Sequence, residues 1–272
     1  MENTKNYLTH WDKFFEDWKK NRKATFDKDE IWRSHKGKIY SDPKTPDTKL
    51  DCNLLPQPYL GDINNHSVIT LNLNPCRTEQ EESVKGFEQN LEKFYNTDSY
   101  YKYAKDFPTY DIDFWKNQRK WFKRLKLDES KKPFAIEICP WNSESWLPLS
   151  INEKIINYMN QYVFSVIEKA IKYSDVKMVF SVGKAYYEIF AHEKSGFNLE
   201  EEISNFKNCP KNWPRHKKNK YLLNRKFSIW THRESGIKYL NVGSPEGGGN
   251  NPPAEHFDEV LKILMQNHKI IF

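Results

Sequence analysis

The chain has little cysteine, no long apolar run and no internal repeat. Its four cysteines, Cys52, Cys76, Cys139 and Cys209, stand far apart with no Cys-x-x-Cys pair. That spacing carries no zinc or iron–sulfur signature and suits free thiols in a reducing compartment. No apolar run approaches the roughly 20 residues of a membrane-spanning helix. The N-terminus is polar and charged, without the apolar stretch of a secretory signal. The expectation is therefore a cytoplasmic protein without membrane association. Hydrophobic residues make up only 38% of the 272 positions, so the core must draw on aromatics, which reach 15% and include nine Trp. That length allows one large domain or two small ones. The formal net charge is +6, compatible with an anionic partner.

Apolar spacing predicts the elements. Trp11, Phe14, Phe15 and Trp18 form one stripe, so residues 7–20 read as an amphipathic helix. Residues 21–57 are rich in Lys, Asp and Pro and read as an irregular arm anchored by Ile31-Trp32. The N-terminal helix and arm, residues 1–55, are expected to pack on a body formed by residues 56–272. Ser67 to Leu73 is a buried strand that stops at Asn74-Pro75, because the residue before a proline is pushed out of the helical region. Acidic residues after Arg77 suit the first turn of a helix, which Val84, Phe87, Leu91 and Phe94 continue. Residues 98–130 read as an inserted aromatic and basic segment. Its helix carries Phe114, Trp115, Phe122 and Leu125, with lysines and arginines between them. That basic side is either a solvated face or a contact for a nucleic-acid backbone.

Phe134 to Cys139 is a second buried strand, followed by Pro140-Trp141-Asn142. Glu137 inside it is unusual, since a buried carboxylate is costly unless paired. Ser150-Ile151-Asn152-Glu153 reads as a capping box opening a long helix through Ile171. Lys177 to Val182 is a third strand, turning at Gly183-Lys184-Ala185 into another helix. Residues 210–226 hold Lys211, Arg215, Lys217, Lys218, Lys220, Arg225 and Lys226 without one acid, interleaved with Trp213 and Tyr221. This is the strongest nucleic-acid signal in the chain. Phe227–Trp230 and Ile237–Val242 pair around Glu234-Ser235-Gly236, and Ala254–His268 closes the chain as an amphipathic helix. Strands alternating with helices predict an α/β chain, a three-layer α/β/α sandwich with a small, mainly parallel central sheet. Ligands of such sheets lie outside the C-terminal strand ends, here Asn74-Pro75, Cys139 to Asn142 and Gly243-Ser244-Pro245.

Gly61-Asp62, Leu71-Asn72-Leu73-Asn74-Pro75, Val182-Gly183-Lys184-Ala185 and Val242-Gly243-Ser244-Pro245 occur in that order. The set, spanning about residues 56 to 265, resembles the uracil-DNA glycosylase-like superfamily. In relatives the first strand ends Gly-Ile-Asn-Pro-Gly, and the last motif is His-Pro-Ser or Asn-Pro-Ser before an intercalating loop. The resemblance implies hydrolysis of the N-glycosidic bond of a flipped nucleotide, with DNA as partner. It implies no cofactor, no metal and no obligate protein partner. Asn74 and Asp62 would be catalytic, Asn74 holding the attacking water. Pro75, Cys76, Glu137, Asn142 and Ser244 would bind substrate, with the Ser244 hydroxyl on phosphate. Lys184, Lys217, Lys218, Lys220, Gly247, Gly248 and Asn250 would contact DNA.

The sequence departs from that pattern. Val242 replaces the usual histidine, Cys76 replaces a glycine, and no tyrosine follows Pro75 to exclude a 5-methyl group. These changes fit a pocket opened for a bulky base. Glu137 can accept from the amino group of cytosine. The superfamily includes bacterial defence glycosylases that remove glucosylated hydroxymethylcytosine from phage DNA, and that specialisation is the expectation. Alternatives are repair of uracil or another deaminated base, and a non-catalytic nucleic-acid-binding module. Each residue also has a plain structural reading: Asn74 as a helix cap, Asp62 as a turn former, Glu137 as an ion-pair partner, Ser244 as a cap.

Overall fold

The computed structural model describes residues 2–33, 50, 52–73, 91–106, 113–124, 126–128, 130–142, 151–204, 206, 226–243 and 254–270. The strands are β1 (Tyr59–Leu60), β2 (Ile69–Asn72), β3 (Phe134–Glu137), β4 (Met178–Val182), β5 (Phe197–Ile203), β6 (Lys226–His232) and β7 (Lys238–Gly243). Among the described residues the α-helices are α1 (Glu2–Lys20), α2 (Arg22–Lys28), α3 (Glu30–Arg33), α4 (Tyr100–Asp106), α5 (Asp113–Arg124), α6 (Glu153–Tyr158), α7 (Ser165–Ala170), α8 (Lys184–Ala191) and α9 (Ala254–Asn267). The strands form one sheet in the order β1-β3-β2-β4-β7-β6-β5.

The chain is α/β, but its sheet is mixed and not mainly parallel. The pairs β2–β4 and β4–β7 are parallel, while β1–β3, β6–β7 and β5–β6 are antiparallel. The physical reason is connection length. The turn between β6 and β7, with Gly236 at φ 69°, is too short for the crossover that parallel neighbours require.

The chain divides into two compact units. One comprises Met1–Asp62, Asn72–Pro108 and Ala135–Lys169. Its α1 buries Tyr7, Trp11, Phe15 and Trp18 at the predicted spacing. Phe15 stacks on Tyr100 of α4 with centroids 4.0 Å apart, and the Tyr100 hydroxyl donates to the Tyr59 carbonyl at 2.9 Å. The expected irregular arm is partly helical. Asn21 caps α2 by accepting from the Ala24 N–H at 2.9 Å, a local bond that composition alone does not reveal.

The predicted long helix after residue 152 is broken. A π-helical turn, Met159–Phe164, joins α6 to α7, and a 3₁₀ turn, Ile171–Tyr173, follows. Ile156, Met159, Val163, Ile167 and Ala170 are nevertheless buried as their spacing requires. The N-cap is Asn152, which accepts from the Lys154 and Ile155 N–H groups; Ser150 lies outside the described residues.

The other unit comprises Ile63–Leu71, Thr109–Phe134 and Ala170–Phe272. Helices cover both faces of its strands. On one face Trp121 of α5 stacks on Phe257 of α9 at 5.3 Å, and Phe257 meets Phe180 of β4 at 5.8 Å. On the other, Phe190 of α8 meets Trp230 and Tyr239. Strand β5, with its run Glu200-Glu201-Glu202, was not anticipated from the sequence. At a sheet edge those acids find partners in Lys238, His268, Tyr187 and Lys226, and exposed charge protects an edge from further pairing.

Candidate functional site

The C-terminal ends of β2 and β3 carry the clearest polar constellation. Phe134 N–H donates to the Val68 carbonyl and Ile138 N–H to that of Asn72, both near 3 Å. The constant offset is that of parallel strands, so the two chains end side by side. Strand alternation turns successive side chains to opposite faces. Glu137 and Asn72, each the last residue of its strand, meet there. The Asn72 Nδ2 donates to Glu137 Oε1 at 3.1 Å, with both side chains buried. A buried carboxylate needs such a donor, since an unmade hydrogen bond there costs about 1–3 kcal/mol. Glu137 thus accepts from an amide on the neighbouring strand end. Asn72 was not singled out from sequence; its signal is a lone amide inside an apolar run.

The segment after β3 is stapled in place. Gln57 N–H donates to the Pro140 carbonyl at 2.8 Å, and the fully buried Asn142 donates its amide to the Leu55 carbonyl at 2.9 Å. Trp141 Nε1 donates to Asp29 Oδ2 at 2.9 Å. Burial pushes the Cys139 thiol well above its ordinary pKa.

Asp62 sits in the turn after β1. Tyr101 donates its hydroxyl to Asp62 Oδ1 at 2.7 Å, and the Lys105 ammonium lies 3.2 Å from Oδ2. Both partners come from one face of α4, and Gly61 N–H reaches the Ala104 carbonyl on the same helix. This arrangement braces the turn. Lys184 opens α8 and is half-exposed, 3.3 Å from Glu188 one turn along. Gly183 before it has φ 119°, a conformation other residues rarely adopt, and its N–H donates to the Val242 carbonyl at the end of β7. On α5, Lys120 and Lys123 are exposed, while Arg124 pairs with Asp258 of α9.

Asn74, Pro75, Cys76, Ser244, Lys217, Lys218, Lys220, Gly247, Gly248 and Asn250 lie outside the described residues. Of the sequence-predicted site, the structure therefore describes Asp62, Glu137, Asn142 and Lys184. It pairs Glu137 with Asn72, ties Asp62 to α4, and fixes Asn142 to the backbone of Leu55. No family model, curated protein or solved structure matches the chain.

Proposed function

We propose that the chain is a monofunctional DNA glycosylase that hydrolyses the N-glycosidic bond of a flipped, modified base. The observation that carries this reading is the buried Glu137–Asn72 pair at neighbouring strand ends, two residues before Asn74-Pro75. It supplies an oriented carboxylate and amide where an α/β sheet receives its ligand. A base drawn out of the duplex is read by hydrogen bonds to its Watson–Crick edge. A carboxylate suits the exocyclic amino group of cytosine, which donates. The substrate class is therefore a modified cytosine, with glucosylated hydroxymethylcytosine of phage DNA as the first candidate.

Asn74 holds water on the sugar side. The water oxygen bonds to C1′ as the C1′–N1 bond breaks. The bonding pair leaves with the base, and the water's proton passes to solvent or to the departing base. Charge on the leaving base is stabilised by fixed donors. Asp62, held by Tyr101 and Lys105, is a fixed carboxylate in the turn after β1 that would act on the same water. Ser244 and the glycines after it take the phosphates beside the target, and Lys184 with Lys217, Lys218 and Lys220 supplies the salt-sensitive backbone affinity.

Val242 in the place of the usual histidine favours a second reading, a DNA-binding module without catalysis. One experiment separates the two. Single- and double-stranded oligonucleotides carrying uracil, hypoxanthine, hydroxymethylcytosine or its glucosylated form are incubated with the protein, then treated with alkali. Strand cleavage at a modified cytosine is the expected result. Salt-sensitive binding with no cleavage of any substrate establishes the module instead.

A further inference from the structure

A cleft of about 540 Å³ opens within the unit that holds α1. Its walls are Trp11 and Phe14 of α1, Trp32 of α3, and Tyr158 and Tyr162 of the segment running from α6 into the π turn. Neighbouring rings meet at corners. Trp11 stands edge-on to Phe14 at 5.2 Å and 73°, and Trp32 to Tyr158 at 6.0 Å and 86°. His10 stacks on Tyr162 at 5.0 Å, closing one side. Of these rings Phe14 and Tyr162 are partly exposed, whereas Trp11, Trp32 and Tyr158 are buried beside them. A compact cation gains from ring faces on several sides.

The charges agree with the ring geometry. Asp17 and Asp29 line the cleft half-buried, whereas Lys13, Lys28 and Glu30 line it at exposed positions. The partial burial of the His10 ring against Trp11 and Tyr162 lowers its pKa. Asp29 is held rigidly by Trp141 Nε1 at 2.9 Å and by the Trp32 N–H. Tyr162 sits within the π turn, a rare geometry that recurs at functional sites.

We propose that this cleft binds an organic cation, an alkyl- or methylammonium group, through the faces of its aromatic rings and the carboxylates of Asp17 and Asp29. The site is independent of the glycosylase reading and stands or falls separately from it.

The test titrates the full chain with choline, following tryptophan fluorescence and heat. The neutral carbon isostere 3,3-dimethylbutan-1-ol and the planar nucleoside cytidine serve as controls. Choline is expected to saturate, with the isostere weaker by about tenfold, the size of a desolvated cation–π contact. A trimethyllysine peptide run in parallel tells a free small molecule from a modified side chain. Tyr162→Leu is expected to weaken choline binding about tenfold while Tyr162→Phe retains it. Asp17→Asn, at a half-buried position, weakens it without loss of fold. Choline also raises the Tm of the wild type by mass action. Equal binding of the isostere, preference for cytidine, or no saturation by choline or the peptide overturns the proposal.

Discussion

Asn72 donates its side-chain amide to Glu137 across the ends of two adjacent strands, at 3.1 Å, with both residues buried. Neither residue is near the other in sequence. Their meeting turns two isolated polar residues in apolar strands into one buried unit.

That unit has a measurable coupling. Glu137→Ala removes the acceptor of the Asn72 amide and is expected to cost about 1–3 kcal/mol in urea unfolding. Glu137→Gln keeps the shape and should cost less. In a double-mutant cycle, Asn72→Ala and Glu137→Ala should be non-additive by at least about 0.5 kcal/mol. Strict additivity would show that the two side chains do not act together.

Activity should separate from binding at Asn74. Asn74→Ala is expected to reduce abasic-site formation by at least about a hundredfold, the scale of losing one positioned polar group at a reacting centre. DNA affinity and its salt dependence should remain, because phosphate contacts carry them. Glu137→Gln, which adds a donor at the base-reading position, should lower cleavage at modified cytosine more than affinity for DNA. Equal cleavage by both variants and wild type counts against the site.

The aromatic stack of the second unit should dominate its stability. Trp121→Ala and Phe257→Ala remove fully buried rings and are each expected to cost about 3–5 kcal/mol. With centroids 5.3 Å apart, the pair should couple, so the double variant loses less than the two losses combined. Chemical denaturation of all three variants measures this.

Two carboxylates should respond to pH in opposite senses. Burial raises the Asp29 pKa, against the lowering effect of the Trp141 hydrogen bond. A raised carboxyl contributes fully below its unfolded pKa, and that contribution is lost as pH rises through the folded pKa. Asp29→Asn should therefore gain stability relative to wild type as pH rises from acid to neutral. Glu200 is also opposed by burial, but the Lys238 ammonium and Thr231 hydroxyl prevail and depress its pKa. Its stabilisation is present above the unfolded pKa and disappears as pH falls through the folded one. Glu200→Gln should thus be destabilising at neutral pH and nearly silent in acid. Thermal unfolding across that range checks both signs.

Much of the architecture was legible from apolar spacing. The stripe through Trp11, Phe15 and Trp18 has a helical period, and Met178 to Val182 is a continuous buried run. Period and burial are local properties, so they can be read without knowing the partner. Strand β5 was illegible because its three consecutive glutamates are met by Lys238, His268 and Lys226, which lie far from them in sequence or across the next strand. The π turn was illegible because its apolar positions sit at the same spacing as those of an unbroken helix.

The site divides along the same line. The sequence by itself determined that polar residues stand in apolar strands and that prolines follow β2 and β3, since burial cost and proline sterics act within a few residues. Only the tertiary structure decided that Glu137 meets Asn72, that Asp62 is braced by Tyr101 and Lys105, and that side chains from α1, α3 and the π turn line one cleft. Those outcomes depend on strand order and helix packing, which bring together residues tens of positions apart.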